Sequence, residues 1–188
     1  MIRATAESLR RRGVSGTSFS EVLRESRAAR GGIYHHFPGG KDELAQAAVQ
    51  WTGRTVADRL AALRPEETTP DGVVQAFLAA IRPAVADSAG GASCAVAAAA
   101  TEGEPGSALQ SAARGALRSW RTALSDQLAA AGMEPVTADG LAATLIAVLE
   151  GAHVLCRAEG SLEPYDAAVG LLLAWMRHAH DQPPAERP

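Results

Sequence analysis

Side chains that could hydrogen-bond phosphates or base edges are concentrated in one short segment of the chain. A helix predicted from Arg30 to His36 would be anchored by Ile33 and Phe37, which lie four residues apart and therefore share a face. The outward residues of this segment are Arg30, Gly31, Gly32, Tyr34 and His35. Two adjacent glycines cost a helix roughly 1 kcal/mol each relative to alanine, which is understandable where the backbone must approach a nucleic acid closely. The segment is typical of a helix that enters a DNA major groove.

The helices needed to position this segment surround it in the sequence. A first helix is predicted from Ile2 to Arg12. Ser18 and Glu21 have the spacing of a capping box, which predicts a second helix that ends near Ser26. After the short third helix, a long fourth helix is predicted from Lys41 to about Leu63. Three short helices followed by a long one form a helix-turn-helix layout, although the same layout occurs in proteins that bind no DNA.

The distribution of charge favours a nucleic-acid partner at the N-terminal end. The chain has a net charge of -3, but residues 1–64 carry 11 Lys and Arg against 6 Asp and Glu. Residues 65–188 carry 7 basic against 15 acidic side chains. A basic N-terminal module on an acidic body is the asymmetry expected when one end meets phosphates. Chance differences between small domains are the alternative explanation.

Two segments of the sequence resemble a known family. Thr17–Val22 (TSFSEV) and Arg30–Leu44 (RGGIYHHFPGGKDEL) are similar to the N-terminal signature of TetR/AcrR transcriptional regulators. The Tyr-His-His-Phe and Pro-Gly-Gly-Lys runs are most similar to the LmrA/YxaF-like branch. The resemblance is specific over Ile2–Val49, with weaker matches at Gly91–Ala100 and Glu150–Arg157.

The resemblance implies a role for each matching residue. Thr17 and Ser18 would bind a phosphate at the start of the second helix. Arg30 would reach a base edge or a phosphate. Tyr34 and His35 would contact the DNA backbone, and His35 could also reach a base.

Lys41 would bind a phosphate, which would explain a cation at a helix N-terminus, where the helix dipole disfavours it. The complete set of predicted DNA-binding residues is Thr17, Ser18, Arg27, Arg30, Gly31, Gly32, Tyr34, His35 and Lys41. The chain departs from the family at three positions. Family members usually have Gly at Arg27, Ser, Thr or Pro at Ala29, and often Ser or Thr at Gly32. The operator sequence is therefore not transferable from relatives.

The rest of the chain predicts a helical body. Its apolar mass is mostly Ala, Leu and Val, and no run has the alternation typical of strands, so we predict an all-α fold with about nine helices. Residues 1–46 form the predicted helix-turn-helix domain, residues 47–180 a ligand-binding and dimerisation domain, and residues 181–188 a disordered tail. Pro83 predicts a kink or an early end in the helix that starts at Thr69. The last two helices, Thr137–Glu159 and Pro164–His180, are apolar on several sides, which predicts a homodimer seam.

A pocket for a small hydrophobic effector is predicted among the helices of the body. Its candidate residues are Phe77, Ile81, Cys94, Trp120, Leu124, Met133, Leu149 and His153. Each of them taken alone fits a core position equally well. Glu150, His153 and Arg157 share a side of one helix and could face the pocket or the seam. Their spacing supplies no metal site, and no activating or oxyanion group accompanies His153 and Cys156, so we expect neither a metal, a cofactor nor catalysis.

Two further features bear on location. Cys94 and Cys156 lack disulfide-framework or zinc spacing, which fits a reducing compartment. No signal peptide is recognised, and no stretch approaches the roughly 18 apolar residues of a membrane span. We therefore expect a cytoplasmic protein with no membrane partner.

The sequence thus predicts a homodimeric repressor that binds a pseudo-palindromic DNA operator and is released by a small hydrophobic effector. A ligand-independent regulator or an activator of the same fold is the first alternative. A helical small-molecule carrier or enzyme is the second, and it would show no salt-dependent binding to DNA.

Overall fold

The chain folds as a bundle of α-helices. The structure, a computed structural model, describes residues 1–28, 35–66 and 68–181, with side chains up to residue 178. Eight helices lie within these residues: α1 Ile2–Arg12, α2 Phe19–Ser26, α3 Gly40–Ala61, α4 Pro70–Ala89, α5 Ala95–Glu102, α6 Ala108–Ala130, α7 Pro135–Glu159 and α8 Glu163–Asp181. The all-α class is confirmed, and the expected count of about nine helices is one more than these eight.

Three predictions fall wholly or partly on residues that the structure does not describe. The short third helix was predicted over Arg30–His36, of which only His35 and His36 are described, both as helical. Among the predicted DNA-binding residues, Arg30, Gly31, Gly32 and Tyr34 lie outside the described residues. The predicted tail does so as well from residue 182 onward.

Local capping explains where the helices of the body begin. The Thr69 hydroxyl accepts a hydrogen bond from the Gly72 N–H, and Pro70 occupies the first turn of α4. The Ser107 hydroxyl accepts from Gln110 N–H at the start of α6, and the Glu134 carboxylate accepts from Thr137 N–H at the start of α7. These side chains satisfy backbone donors that have no partner within their own helix.

Pro83 does not end α4, so the early end that was one of the two expectations at this residue is wrong, while the kink stays a prediction. The helix continues to Ala89 with Pro83 inside it. Pro83 has no N–H to donate to the carbonyl four residues earlier, at Ala79. Both residues are exposed, so water can hydrogen-bond that carbonyl and the helix persists.

The close packing of α3 against α6 forms the centre of the bundle. A Cβ atom on Gly53 of α3 would lie 2.6 Å from the Ala116 Cβ of α6, so glycine is required for this approach. One turn further along α6, the buried Trp120 indole N–H donates to the Gly53 carbonyl at 2.8 Å. Helix α7 packs on α4, α6 and α8. One continuous apolar core therefore runs from α1 to α8.

Candidate functional site: a nucleic-acid interface and an adjoining cavity

Thr17 anchors the loop between α1 and α2 from the inside. It is 5% exposed, and its hydroxyl donates to the Gly13 carbonyl at 2.7 Å while accepting from the Ser8 hydroxyl at 3.2 Å. Its backbone N–H donates to the Val14 carbonyl at 3.2 Å. The polar hydrogens of Thr17 are thus used within the protein, and the phosphate contacts of Thr17 and Ser18 stay predictions.

The predicted capping box at the start of α2 does not form. Ser18 occupies the N-cap position without a side-chain cap bond, and its hydroxyl lies 2.8 Å from that of Ser20. Glu21 instead forms an ion pair with Arg12, and a longer one with Arg24 at 3.8 Å. A hydrogen bond to a guanidinium joins two full charges, whereas one to a backbone N–H joins the carboxylate to a neutral donor. The first turn of α2 therefore keeps backbone donors uncapped by any side chain, as an anion-binding helix N-terminus does.

Arg27 closes α2 in a left-handed conformation, with φ 54° and ψ 31°. Its N–H donates to the Arg24 carbonyl, and the next N–H, of Ala28, donates to the Leu23 carbonyl at 3.1 Å. A side chain in this region is disfavoured and glycine is not. The backbone at this position is therefore one that glycine would adopt with less strain than arginine. It also leaves the Arg27 side chain exposed beside the turn.

Lys41 stands at the head of α3, next to the loop between α1 and α2. Its Nζ donates to the Val14 carbonyl at 3.4 Å, and the side chain is half-buried. The start of α3 is secured separately, because the Glu43 carboxylate accepts from Gly39 N–H at 2.8 Å and Gly40 adopts φ 71°. The ammonium group has two further donors, so one contact to a phosphate is compatible with the bond to Val14.

His35 is the other predicted DNA-binding residue that the structure describes. It is exposed, and its ring meets that of His36 edge-on at a centroid distance of 5.0 Å. Ser18, Arg27, His35 and Lys41 are all at least partly exposed, as residues that touch DNA must be.

A cavity of about 600 Å³ lies between this N-terminal module and the body. Of the eight predicted pocket residues, five line it: Ile81, Cys94, Trp120, Leu149 and His153. Phe77 and Leu124 are completely buried in the core, and Met133, in the turn between α6 and α7, packs against that core. These three do not line the cavity, because an apolar residue in a helix satisfies core and pocket patterns equally well.

Sequence reasoning missed the wall of the cavity that α1 and α3 supply. Helix α1 contributes Arg3, Ala6, Glu7 and Arg10, and α3 contributes Trp51, Thr52, Thr55, Val56, Arg59 and Leu60. Periodicity could not reveal this wall, because it identifies an inward face without saying whether that face meets a core or a void. The position of Trp51 on α3 was the one available signal, since a large aromatic often lines a ligand pocket.

Two hydrogen-bonded contacts join the module to helix α5. At its N-terminal end, Ser93 N–H donates to the Arg10 carbonyl at 2.8 Å, and Arg10 Nε donates to the Ser93 carbonyl at 3.3 Å. At its C-terminal end, the Glu102 carboxylate accepts from Ser15 N–H at 2.9 Å. Burial alone would raise the pKa of Glu102, but the N–H groups of Ser15 and Val14 stabilise the carboxylate and lower its pKa overall. Both ends of α5 are thus tied to the segment 10–15.

His153 connects α7 to α4 at the floor of the cavity. Its Nδ1 lies 2.7 Å from the Ser88 hydroxyl in a buried pair. Burial, with a smaller contribution from the charge of Arg10, lowers the pKa of His153 to about 4. The imidazole is therefore neutral at physiological pH and acts as a hydrogen-bonding core residue.

Glu150 is the main electrostatic anomaly of the body. Both carboxylate oxygens are buried, and the polar group that interacts with them is the Cys94 thiol. Desolvation raises the pKa of Glu150 to about 7. Desolvation and the nearby charge of Glu150 together raise the pKa of the Cys94 thiol. Near neutral pH a large share of Glu150 is protonated, which lessens the cost of burying it.

Helices α7 and α8 leave an apolar face uncovered. Val154 on α7 is 67% exposed, and on α8 Leu171 and Trp175 are 74% and 64% exposed. Leu155 is a further exposed apolar residue on α7. Large apolar side chains that are exposed near one another are typical of an interaction surface.

The same α7 corrects one sequence-based expectation. Its mean hydropathy reaches 1.5 over 18 residues, so by length and composition it could cross a membrane, although no such stretch was expected. Leu145, Leu149 and Cys156 of this helix are buried against neighbouring helices. The apolar composition is that of the core helix of a bundle.

Two family descriptions match this chain. The family of bacterial regulatory proteins called tetR matches residues 1–48, and the C-terminal domain of LmrA/YxaF-like transcriptional regulators matches residues 70–170. The chain belongs to the TetR family of transcriptional regulators, in its LmrA/YxaF-like branch. Members of this family bind DNA through a helix-turn-helix.

Individual relatives agree with this assignment. The uncharacterized HTH-type transcriptional regulator Rv0196 of Mycobacterium tuberculosis is 30% identical over 172 residues, covering 88% of this chain and 87% of the relative. The HTH-type transcriptional regulator LmrA of Bacillus subtilis is 38% identical over 66 residues, or 35% of each chain. A TetR regulator from Legionella pneumophila has the same fold, with a TM-score of 0.78, 22% identity, and coverage of 93% of this chain and 94% of that one.

Proposed function

We propose that this chain is a cytoplasmic, homodimeric repressor that binds a pseudo-palindromic operator and releases it when a small effector enters the cavity. The observation that carries this proposal is the position of the cavity. Arg3, Ala6 and Arg10 of α1 form one wall, and Trp120 and Leu149 of the body form another. An occupant would touch the DNA-binding module and the body at once.

Such an occupant would also act on the joint between the two parts. Cys94 and Ala95 at the start of α5 line the cavity, directly after Ser93, which is bonded to Arg10. A displacement of the N-terminal end of α5 would therefore also move residues 10–15, because Glu102 at the C-terminal end of α5 is bonded to Ser15. The effector must bind the displaced state more tightly than the DNA-bound state, because otherwise it shifts no equilibrium.

Contact with DNA would come from three places in the module. The uncapped first turn of α2 at Ser18 and the ammonium group of Lys41 would bind phosphates. Arg30 would read a base edge, as the resemblance implies. Two such modules are needed to occupy successive major grooves, which requires a dimer.

The uncovered face of α7 and α8 supports a two-fold seam. Val154, Leu171 and Trp175 would pack against the same surface of a second copy, because an isologous interface uses one patch of both subunits. We expect Leu171→Glu to yield a monomer in light scattering. Val136→Glu is the matched control, since Val136 is 79% exposed but lies at the opposite end of α7.

The experiment that tests the function is fluorescence anisotropy of the purified protein on its own upstream intergenic DNA, at several salt concentrations. We expect tight, salt-sensitive binding that weakens in Arg30→Ala and Lys41→Ala, because each removes a contact to the DNA. Arg114→Ala, an exposed arginine on α6, is the control and should bind as the parent does. Binding that ignores both module substitutions would contradict the proposed interface.

An effector titration of the same complex separates the repressor from its alternatives. Release of the DNA by a ligand of the cavity supports the proposal. A complex that persists while the cavity is occupied would identify a ligand-independent regulator, and one that tightens would identify an activator-like response.

A further inference from the structure

Only some of the charged residues that line the cavity form ion pairs with one another. Three arginines, Arg3, Arg10 and Arg59, line it together with two carboxylates, Glu7 and Asp87. Arg10 bonds to both acids, at 3.3 Å to Glu7 and at 3.0 Å to Asp87. Glu7 also accepts from Arg11 at 2.6 Å. The two acids of the cavity are therefore already neutralised.

The other two arginines of the cavity, Arg3 and Arg59, are not paired with an acidic side chain among the described residues. Within residues 1–28, 35–66 and 68–181, neither Arg3 nor Arg59 has an ion pair or a side-chain hydrogen bond. Arg3 comes from α1 and Arg59 from the last turn of α3, and both border the same void. Two guanidinium groups on one cavity, with no acid left to pair them, form a site of excess positive charge.

The remaining walls of the cavity offer little other polar chemistry. The Trp120 indole N–H is bonded to the Gly53 carbonyl, and the Thr52 hydroxyl to the Ala48 carbonyl at 2.9 Å. The Thr55 hydroxyl bonds to the Trp51 carbonyl, also at 2.9 Å. Most of the other lining side chains are apolar. Such walls suit a hydrophobic ligand body, and a volume of about 600 Å³ is in the usual range for small-molecule sites.

We infer that the effector is an amphipathic anion, with an apolar body among the tryptophans and a carboxylate, sulfate or phosphate head between Arg3 and Arg59. This inference rests on the proposed function and narrows the small hydrophobic effector to one charge class. A guanidinium binds a carboxylate or phosphate through two parallel hydrogen bonds, which gives it both affinity and orientation.

The arrangement also gives the head group a regulatory position. Arg3 belongs to the DNA-binding module, and Arg59 lies at the end of the helix that leads into the body. An anion held by both would link α1 to the end of α3. The link would fix α1 in one position relative to the body.

A cationic effector is the main rival, because the Glu150 carboxyl interacts with Cys94, which lines the cavity. Its two oxygens are buried, however, and Glu150 itself is not part of the cavity wall. A ligand in the cavity would therefore reach it only if the protein rearranged. The exposed guanidinium groups are accessible without any movement, so the observations favour an anion.

The test compares three ligands with the same ten-carbon tail and different heads: decanoate, decanol and decyltrimethylammonium. Binding to the purified full-length protein is measured by isothermal titration calorimetry, without DNA. We expect decanoate to bind at least tenfold more tightly than the other two, with an affinity that falls as salt is raised. Equal binding of decanoate and decanol, tighter binding of the cation, or no binding of decanoate would each overturn the inference.

Substitutions locate the head group. Arg3→Gln and Arg59→Gln should each weaken decanoate about tenfold, as loss of a charge-assisted bond does, and leave decanol unchanged. Arg54→Gln is the matched control, because Arg54 is an exposed arginine of the same α3 that borders a different groove. Decanoate affinity that is unaffected by both substitutions would overturn the inference.

The two proposals can fail separately. Loss of DNA binding with retained decanoate selectivity would refute the repressor and keep the anion site. Specific DNA binding without a preference for decanoate would refute the anion site and keep the repressor.

Discussion

The Glu102 carboxylate at the end of α5 accepts a hydrogen bond from the Ser15 backbone N–H at 2.9 Å. The two residues are 87 positions apart, and they join the body of the protein to the loop between α1 and α2. Because Ser93 at the other end of α5 is bonded to Arg10, α5 and the segment 10–15 should move together. The proposed response to an effector depends on this connection.

Glu102→Ala should weaken the coupling between cavity and DNA. The substitution removes the acceptor of the Ser15 N–H, and we expect a loss of about 1 kcal/mol in the free energy of unfolding. The effector should then release DNA less effectively, which a titration of the protein–DNA complex would measure. Glu104→Ala, at a neighbouring exposed residue, is the control. An unchanged effector response in Glu102→Ala would show that α5 is not the connecting element.

Arg27→Gly should stabilise the protein while testing a DNA contact. The left-handed φ of 54° costs a non-glycine residue roughly 1 kcal/mol, so removing the side chain should raise the free energy of unfolding by about that amount. If the Arg27 side chain also binds DNA, affinity falls in the same variant. Arg24→Gly, inside α2, should instead destabilise the protein, since glycine is unfavourable within a helix. Chemical unfolding of both variants measures the two changes in the free energy of unfolding, which should be opposite in sign.

Gly53→Ala should destabilise the bundle. The added Cβ would lie 2.6 Å from the Ala116 Cβ, and forcing the two helices apart typically costs about 1–3 kcal/mol. Ala116→Gly in the same chain should restore part of the loss. Gly115→Ala is the control on α6, because nothing lies within 4 Å of its added Cβ, and it should be neutral or stabilising. A neutral Gly53→Ala would contradict the close packing of α3 on α6.

Glu150 and His153 should have opposite effects on the dependence of stability on pH. The pKa of Glu150 is raised from 4.5 to about 7 by folding, so the folded state holds a proton that the unfolded state loses, and stability falls as pH rises through this interval. The pKa of His153 is lowered from 6.5 to about 4, so its contribution falls as pH drops through that interval. Between about pH 4.5 and 6.5 the two effects partly cancel.

Glu150→Gln should therefore change the shape of the stability curve. The variant loses the Glu150 effect, so its stability should rise more steeply from pH 4.5 to 6.5 than that of the parent. At pH 8 it should be the more stable protein, by on the order of 2 kcal/mol, because no buried charge remains. Glu159→Gln, exposed on the same helix, is the control. Parallel curves for Glu150→Gln and the parent would show that Glu150 is not buried in the folded protein.

Much of the architecture followed from local sequence signals. Thr69 before Pro70 marked the start of α4, and the glycines near residues 90, 132 and 160 marked breaks between helices. The capping box at Ser18 and Glu21 was wrong, because it did not account for Arg12, which lies one helix away and pairs with Glu21. The expected stop at Pro83 was wrong because the freed carbonyl faces solvent.

The cavity could be predicted only in part. Cys94, Trp120 and His153 were identified from their chemical types on apolar helices, and they line it. Arg3 and Arg59 were missed, because single charged residues on predicted amphipathic helices look like ordinary solvent-exposed positions. Phe77 and Leu124 were assigned to the pocket, but they belong to the core.

The sequence by itself determined the helical class, the family and the basic N-terminal module, since propensity, motif spacing and charge are properties of neighbouring residues. The tertiary structure alone decided which inward faces meet a core and which meet a void. It also decided that α1 walls the cavity, and that Glu102 reaches Ser15. Those relationships depend on the packing of side chains that are distant along the chain. Hydrophobic periodicity does not determine how far apart two helices lie.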